Sequence, residues 1–177
     1  MDEQLRYPIG RFRAVKDLPQ TEYPRLINEI AETPRRIRDA VKGLSDQQFD
    51  APYRPGGWTV RQVVHHLPDS HLNAYIRFKL AMTEEHPTIK PYLEAVWAEL
   101  PEAKSAPVEM SLVLLEALHT RWVTFLRSLR PEDFKRTLNH PENGTMTLDT
   151  VLQLYAWHGR HHEGHITSLK TRMKWQT

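Results

Sequence analysis

Four segments of the chain repeat apolar residues every three or four positions, and the two-residue alternation of a strand is scarcely signalled anywhere. A pattern of this kind leaves little beyond helix packed on helix. The first stripe, Leu26, Ile30, Ile37, Val41 and Leu44, predicts a helix over about Tyr23–Leu44. Pro34 is expected to kink it, because proline removes the hydrogen bond to residue i−4. Ser45-Asp46-Gln47-Gln48 reads as a capping box opening one short turn, and Thr59 with Gln62 as a second, starting a helix over about 59–83. Leu112, Leu115, Leu118, Trp122, Phe125 and Leu129 mark a third helix over about Ser111–Leu129, stopped by Pro131. After a turn at Asn143-Gly144, Thr147 is expected to cap a fourth helix over about 148–174.

Three stretches lack a period. Residues 1–20, with Pro8, Gly10 and Pro19, read as an irregular arm, and Pro52-Tyr53-Arg54-Pro55-Gly56-Gly57 as a loop. Residues 86–109 carry Pro87, Pro91, Pro101 and Pro107 and read as a long connection with one short helix near Leu93–Leu100. The expected fold is all-α: a four-helix bundle with a long connection between helices 2 and 3, one domain over residues 1–177. A chain of 177 residues can bury roughly 70% of its unfolded surface. It needs neither disulfide nor structural metal merely to fold, so a bound metal is expected to serve function.

Charge excludes some partners. The 24 basic and 22 acidic residues are interspersed, so no one-sided basic surface for nucleic acid is expected. No apolar run approaches the roughly 18 residues of a membrane span. The polar start Met1-Asp2-Glu3-Gln4 does not read as a secretory signal, and the expected location is cytoplasmic. The absence of cysteine excludes thiolate ligands and a cysteine nucleophile.

Histidine is the anomaly. Of ten, seven fall in two windows: His65, His66 and His71, then His158, His161, His162 and His165. On the fourth helix the apolar stripe reads Val151, Tyr155, His158, His162, Ile166, Leu169 and Met173. His158 and His162, at i and i+4, therefore project from one buried face and can share an ion. The other i, i+4 pair, His161 and His165, shares a face with Trp157, Ser168 and Arg172 and looks more polar. A third ligand should come from another helix. His65 and His66 lie about 100° apart on the second helix, and periodicity leaves open which of them faces the bundle. A lone buried histidine usually has a structural role, but two neighbouring imidazoles without an ion must each find partners at a cost.

Other features read first as structure. His162-Glu163-Gly164-His165 is one residue short of the zinc-protease pattern and is rejected as one. Gly56-Gly57 is too short for a phosphate loop, and the five tryptophans read mostly as core or interface aromatics. Arg54, Arg61 and Arg77 could meet an anionic substrate but read first as surface or ion-pair residues. Pro68 should free the carbonyl of Val64 and kink the second helix beside the histidines.

Two of these segments carry a resemblance. Tyr53-Arg54-Pro55-Gly56-Gly57-Trp58-Thr59-Val60-Arg61-Gln62-Val63-Val64-His65-His66-Leu67 and Tyr155-Ala156-Trp157-His158-Gly159-Arg160-His161-His162 resemble the DinB superfamily, within it the YfiT-type metal-dependent hydrolases. The likeness runs from Tyr7-Pro8-Ile9-Gly10 to Met173-Lys174-Trp175; Pro68 departs from it, where relatives carry a small helix former. It implies a four-helix bundle of DinB/YfiT type with one zinc or nickel ion per chain, and metal ligands His66, His158 and His162. Three imidazoles leave a position open on zinc, the arrangement of a catalytic site. The implied activity is hydrolysis of a small-molecule amide or ester by metal-activated water. Thiol transfer with a low-molecular-weight thiol such as bacillithiol, as in some relatives, is the alternative; a metal-binding stress-response module without turnover is the third. Asp69 and Glu163 are the nearby carboxylates, expected to be solvated or to orient a ligand. No general base is assigned, and a homodimer stays open.

Overall fold

Helix starts fall where local chemistry places them. In the computed structural model, which describes residues 2–175, an N-terminal turn α1 (Asp2–Arg6) precedes α2 (Tyr23–Val41), which opens with Pro24 in its first turn and runs unbroken through Pro34. Both expected capping boxes form: Ser45 with Gln48 at α3 (Asp46–Phe49), and Thr59 with Gln62 at α4 (Val60–Thr83). The connection to the third long helix holds two short helices rather than one, α5 (Glu94–Trp97) and α6 (Pro101–Ser105), because Pro101 starts a new first turn. The third long helix, α7 (Val108–Ser128), begins directly after Pro107, a turn earlier than its stripe suggested. A small antiparallel pair follows, β1 (Thr137–His140) and β2 (Gly144–Thr147), with Thr137 opposite Thr147 and His140 opposite Gly144. Gly144, at φ +70°, supplies the left-handed residue at the turn. α8 (Leu148–Met173) completes the chain. Thr147 occupies its N-cap, but its hydroxyl meets Asp149 and Thr150 rather than a backbone amide. Met1, Gln176 and Thr177, which the expected domain includes, lie outside the described residues. Among the described residues, no helix is long and apolar enough to cross a membrane.

The four long helices form a bundle in which α2 and α4 each pack against both α7 and α8. α2 and α4 thus face one another diagonally, as do α7 and α8, so two of the three links between consecutive long helices cross the bundle.

Its interior is divided. One apolar cluster, including Ile30, Phe78, Trp122, Leu152 and Tyr155, fills one end; a second, including Ile37, Val63, Leu67, Leu115 and Ile166, fills the other. Each such side chain stabilises the fold by about 1.5–3 kcal/mol through apolar burial. Between the two clusters every long helix turns a polar group inward: Thr33 on α2, Ser70 and His71 on α4, His119 on α7 and His162 on α8. α2 and α8 approach closely there, since a Cβ on Gly159 would sit 2.5 Å from Thr33 Oγ1.

Candidate metal centre

At this polar waist, α4 and α8 bring three imidazoles together. His66, His158 and His162 each offer a ring nitrogen, all within 4.8 Å of one another. His66 Nε2 lies 3.3 Å from His158 Nε2, and the His66 and His162 rings are 4.9 Å apart. His66 and His162 are buried and His158 half-buried. Burial, reinforced by neighbouring imidazoles, holds His158 and His162 well below the usual histidine pKa, and His66 falls to about 4. All three are therefore neutral at pH 7, the protonation state a metal ligand needs. The donor set contains no thiolate and no carboxylate, a chemistry that fits a borderline divalent ion. The 3.3 Å between His66 Nε2 and His158 Nε2 is what two zinc bonds of about 2.0–2.1 Å at a tetrahedral angle span.

The neighbours of the triad are also histidines. His71 Nε2 lies 3.0 Å from His158 Nδ1, and His71 Nδ1 lies 2.7 Å from His119 Nε2. His119 Nδ1 lies 2.7 Å from the carbonyl of Ile30. On the other side His165 Nδ1 lies 3.3 Å from His162 Nδ1, and His165 Nε2 lies 3.0 Å from the carbonyl of Arg6.

His65, the alternative on α4, points elsewhere: its ring nitrogens meet Ser111 Oγ at 2.7 Å and the Ala106 carbonyl at 3.1 Å. His161 and His165 correct an expectation. Their face is not polar but buried, because the aperiodic arm and the 53–58 loop cover it: Tyr7 stacks on His161 and Tyr53 on His165. Met173, placed on the inward stripe by spacing, is exposed at the end of α8.

A cavity of about 400 Å³ opens over the triad. Its walls come from the arm (Arg6, Tyr7), the loop before α4 (Tyr53, Arg54, Trp58), α5 (Glu94) and α8 (Trp157). Glu94 had no sequence signal as a site residue, since it lies in the aperiodic connection. Of the arginines singled out, only Arg54 lines this cavity. Arg61 is buried and bound to Asp50, Asp46 and the Ala106 carbonyl, and Arg77 lines a separate pocket with Tyr92 and His140. Glu163 faces a groove with Arg35 and Arg36 on the far side of α8.

Asp69 does not line the cavity either. Burial, then the nearby Glu102, raises its pKa to about 6. A carboxyl whose folded pKa lies above its unfolded value of about 3.9 destabilises the fold as pH rises between the two. Asp69→Asn is therefore expected to raise thermal stability, by an amount growing from pH 5 to pH 7 and constant above. The rise from about 3.9 to about 6, discounted for partial exposure, corresponds to about 1–2 kcal/mol. Melting curves at the two pH values check this, and an unchanged or lowered melting temperature at pH 7 would contradict it.

The sequence pattern of the DinB superfamily matches residues 29–166. A Bacillus mycoides (strain KBAB4) protein named "Putative metal-dependent hydrolase" is 56% identical over 173 residues, covering 98% of this chain and 99% of its own. A Bacillus cereus (strain 03BB102) protein of the same name is 56% identical over 171 residues, 97% and 98% of the two chains. Among solved structures, YfiT from Bacillus subtilis, described as a probable metal-dependent hydrolase with an unusual four-helix bundle topology, superposes with a TM-score of 0.95. It is 48% identical and covers 98% of this chain and 99% of its own. The diagonal links between consecutive long helices agree with that description, and the chain belongs to the DinB superfamily.

Proposed function

We propose that this chain is a metal-dependent hydrolase in which His66, His158 and His162 hold one zinc or nickel ion per chain. The observation that carries the reading is the convergence of three neutral imidazoles beneath an open cavity, with no fourth donor in the set among the described residues. Three ligands are what a catalytic ion takes, whereas a structural one is closed by four. Such an ion supplies Lewis-acid activation of water.

The cavity suits a small molecule. Tyr7, Tyr53, Trp58 and Trp157 offer faces against which an apolar or planar group can lie, and Arg6 and Arg54 favour a negative group at the rim. Glu94, the carboxylate among the described lining residues, stands where it can give or take a proton at the substrate. Because arm, loop, α5 and α8 all contribute to this one cavity, residues 1–177 are read as one functional domain.

Metal analysis of protein purified without chelator is the first test, with close to one zinc or nickel per chain expected. Substantially none, even after reconstitution, would remove the proposal. Activity against a panel of amides and esters is the second. Turnover should be lost with chelator and should rise with pH through an apparent pKa near about 7. Added low-molecular-weight thiol should inhibit. Thiol-dependent consumption of an electrophile would instead assign the site to thiol transfer, and neither response from metal-loaded protein would leave a binding module.

A further inference from the structure

The two ligands on α8 each sit at the head of a hydrogen-bonded line of imidazoles that ends on a backbone carbonyl. A carbonyl can only accept. The Ile30 carbonyl must therefore receive the N–H of His119 Nδ1, 2.7 Å away. A neutral imidazole offers one N–H and one bare nitrogen, the pair of contacts that His119 and His71 each make along this line. His119 Nε2 is then a bare acceptor, and His71 Nδ1–H donates to it at 2.7 Å. His71 Nε2 is bare in turn, and His158 Nδ1–H donates to it at 3.0 Å. The bare nitrogen of His158 is thus Nε2, the atom facing His66. The same reasoning runs from the Arg6 carbonyl, through His165 Nε2–H and its bare Nδ1, to His162 Nδ1–H, leaving His162 Nε2 bare.

Why these carbonyls are available is visible in the chain. Ile30 lies four residues before Pro34, which has no N–H to return, so its carbonyl is released from the α2 ladder into the core. Arg6 is the last residue of α1, where carbonyls lose their intrahelical donors.

We infer that His71, His119 and His165 are positioning residues that lock His158 and His162 as Nδ1–H tautomers, leaving both Nε2 lone pairs for the metal, with polarity set at one end by Pro34. This rests on the metal reading above for its purpose, but the tautomers belong to the metal-free protein and are measurable there. Partners behind ligating imidazoles typically contribute 10–100-fold in metal affinity.

The test has two arms on the full-length chain. In a long-range nitrogen–proton correlation spectrum of the metal-free protein at neutral pH, His71, His119, His158 and His162 should appear as Nδ1–H tautomers and His165 as Nε2–H. A His158 ring protonated at Nε2 would overturn the inference whether or not metal binds. In chelator competition with zinc, His119→Phe should weaken binding by about 10–100-fold with one ion per chain still reached at saturation. His119→Gln, whose amide can donate to Ile30 and accept from His71, should recover most of that loss. Equal weakening by Phe and Gln, or none by Phe, would overturn the relay. Wild-type protein that takes no metal would remove the hydrolase proposal while leaving the tautomer arm to stand or fall alone, and that arm needs no variant to fold.

Discussion

Replacing His158 or His162 by alanine is expected to eliminate zinc or nickel binding at any concentration the protein tolerates. Each removes one of the three donors that converge among the described residues, and that set contains no carboxylate to substitute. The loss should exceed the roughly 10–100-fold that partners behind a ligand contribute. His65→Ala is the informative contrast. Its ring is tied to Ser111 and the Ala106 carbonyl, so its loss should lower the melting temperature while leaving affinity within a few-fold of wild type. His161→Ala should also spare the metal, since that ring stacks between Tyr7 and Trp157 and its Nδ1 has no hydrogen-bond partner. Isothermal titration and melting curves on the four variants check this. Equal affinity losses at His158 and His65 would show that the triad is not the metal site.

Acidifying the metal-free protein from pH 7 to about pH 4.5 is expected to unfold it. Burial is the leading cause that lowers His66, His119 and His165 from 6.5 to about 4 and His161 to about 3. The sign follows from proton counting. Between about pH 4 and 6.5 the unfolded chain binds protons that the folded chain refuses, so stability is complete above 6.5 and falls as pH drops below it. A drop from 6.5 to about 4 corresponds to about 3 kcal/mol per group. Two or three such groups match the whole stability of a typical domain, about 5–15 kcal/mol. Circular dichroism and tryptophan fluorescence should therefore show a cooperative transition centred near pH 5. A native signal retained at pH 4.5, with the imidazoles titrating normally, would mean that they are hydrated rather than buried.

The long helices were legible because stripes such as Leu112, Leu115, Trp122 persist for several turns, and Ser45, Thr59, Gln48 and Gln62 announce their own caps. β1 and β2 were not legible: four residues hold too few alternations to register, and only the turn at Asn143-Gly144 showed. His158 and His162 could be paired from spacing alone. The choice of His66 over His65 could not, because it depends on where α7 and the end of α6 lie: Ser111 on α7 and Ala106, the residue after α6, claim His65. The burial of His161 and His165 was hidden for a related reason. The cover comes from Arg6, Tyr7 and Tyr53, in segments with no period to extrapolate. His119 gave no local signal at all. Its role arises from a carbonyl that lies 89 residues away and is freed by Pro34.

The divided interior has a consequence for how the helices stay aligned. Uniformly apolar faces allow one helix to slip a turn, about 5.4 Å, past its neighbours with little change in contact. Here such a slip of α8 would put one of His158 and His162 in the other's place, carry the other to the level of an apolar cluster, and bring Tyr155 or Ile166 into the triad. Each stranded imidazole would forfeit hydrogen bonds inside the core, a penalty of about 1–3 kcal/mol apiece. The waist therefore acts as a detent against longitudinal sliding, much as a single buried asparagine fixes the register of a coiled coil.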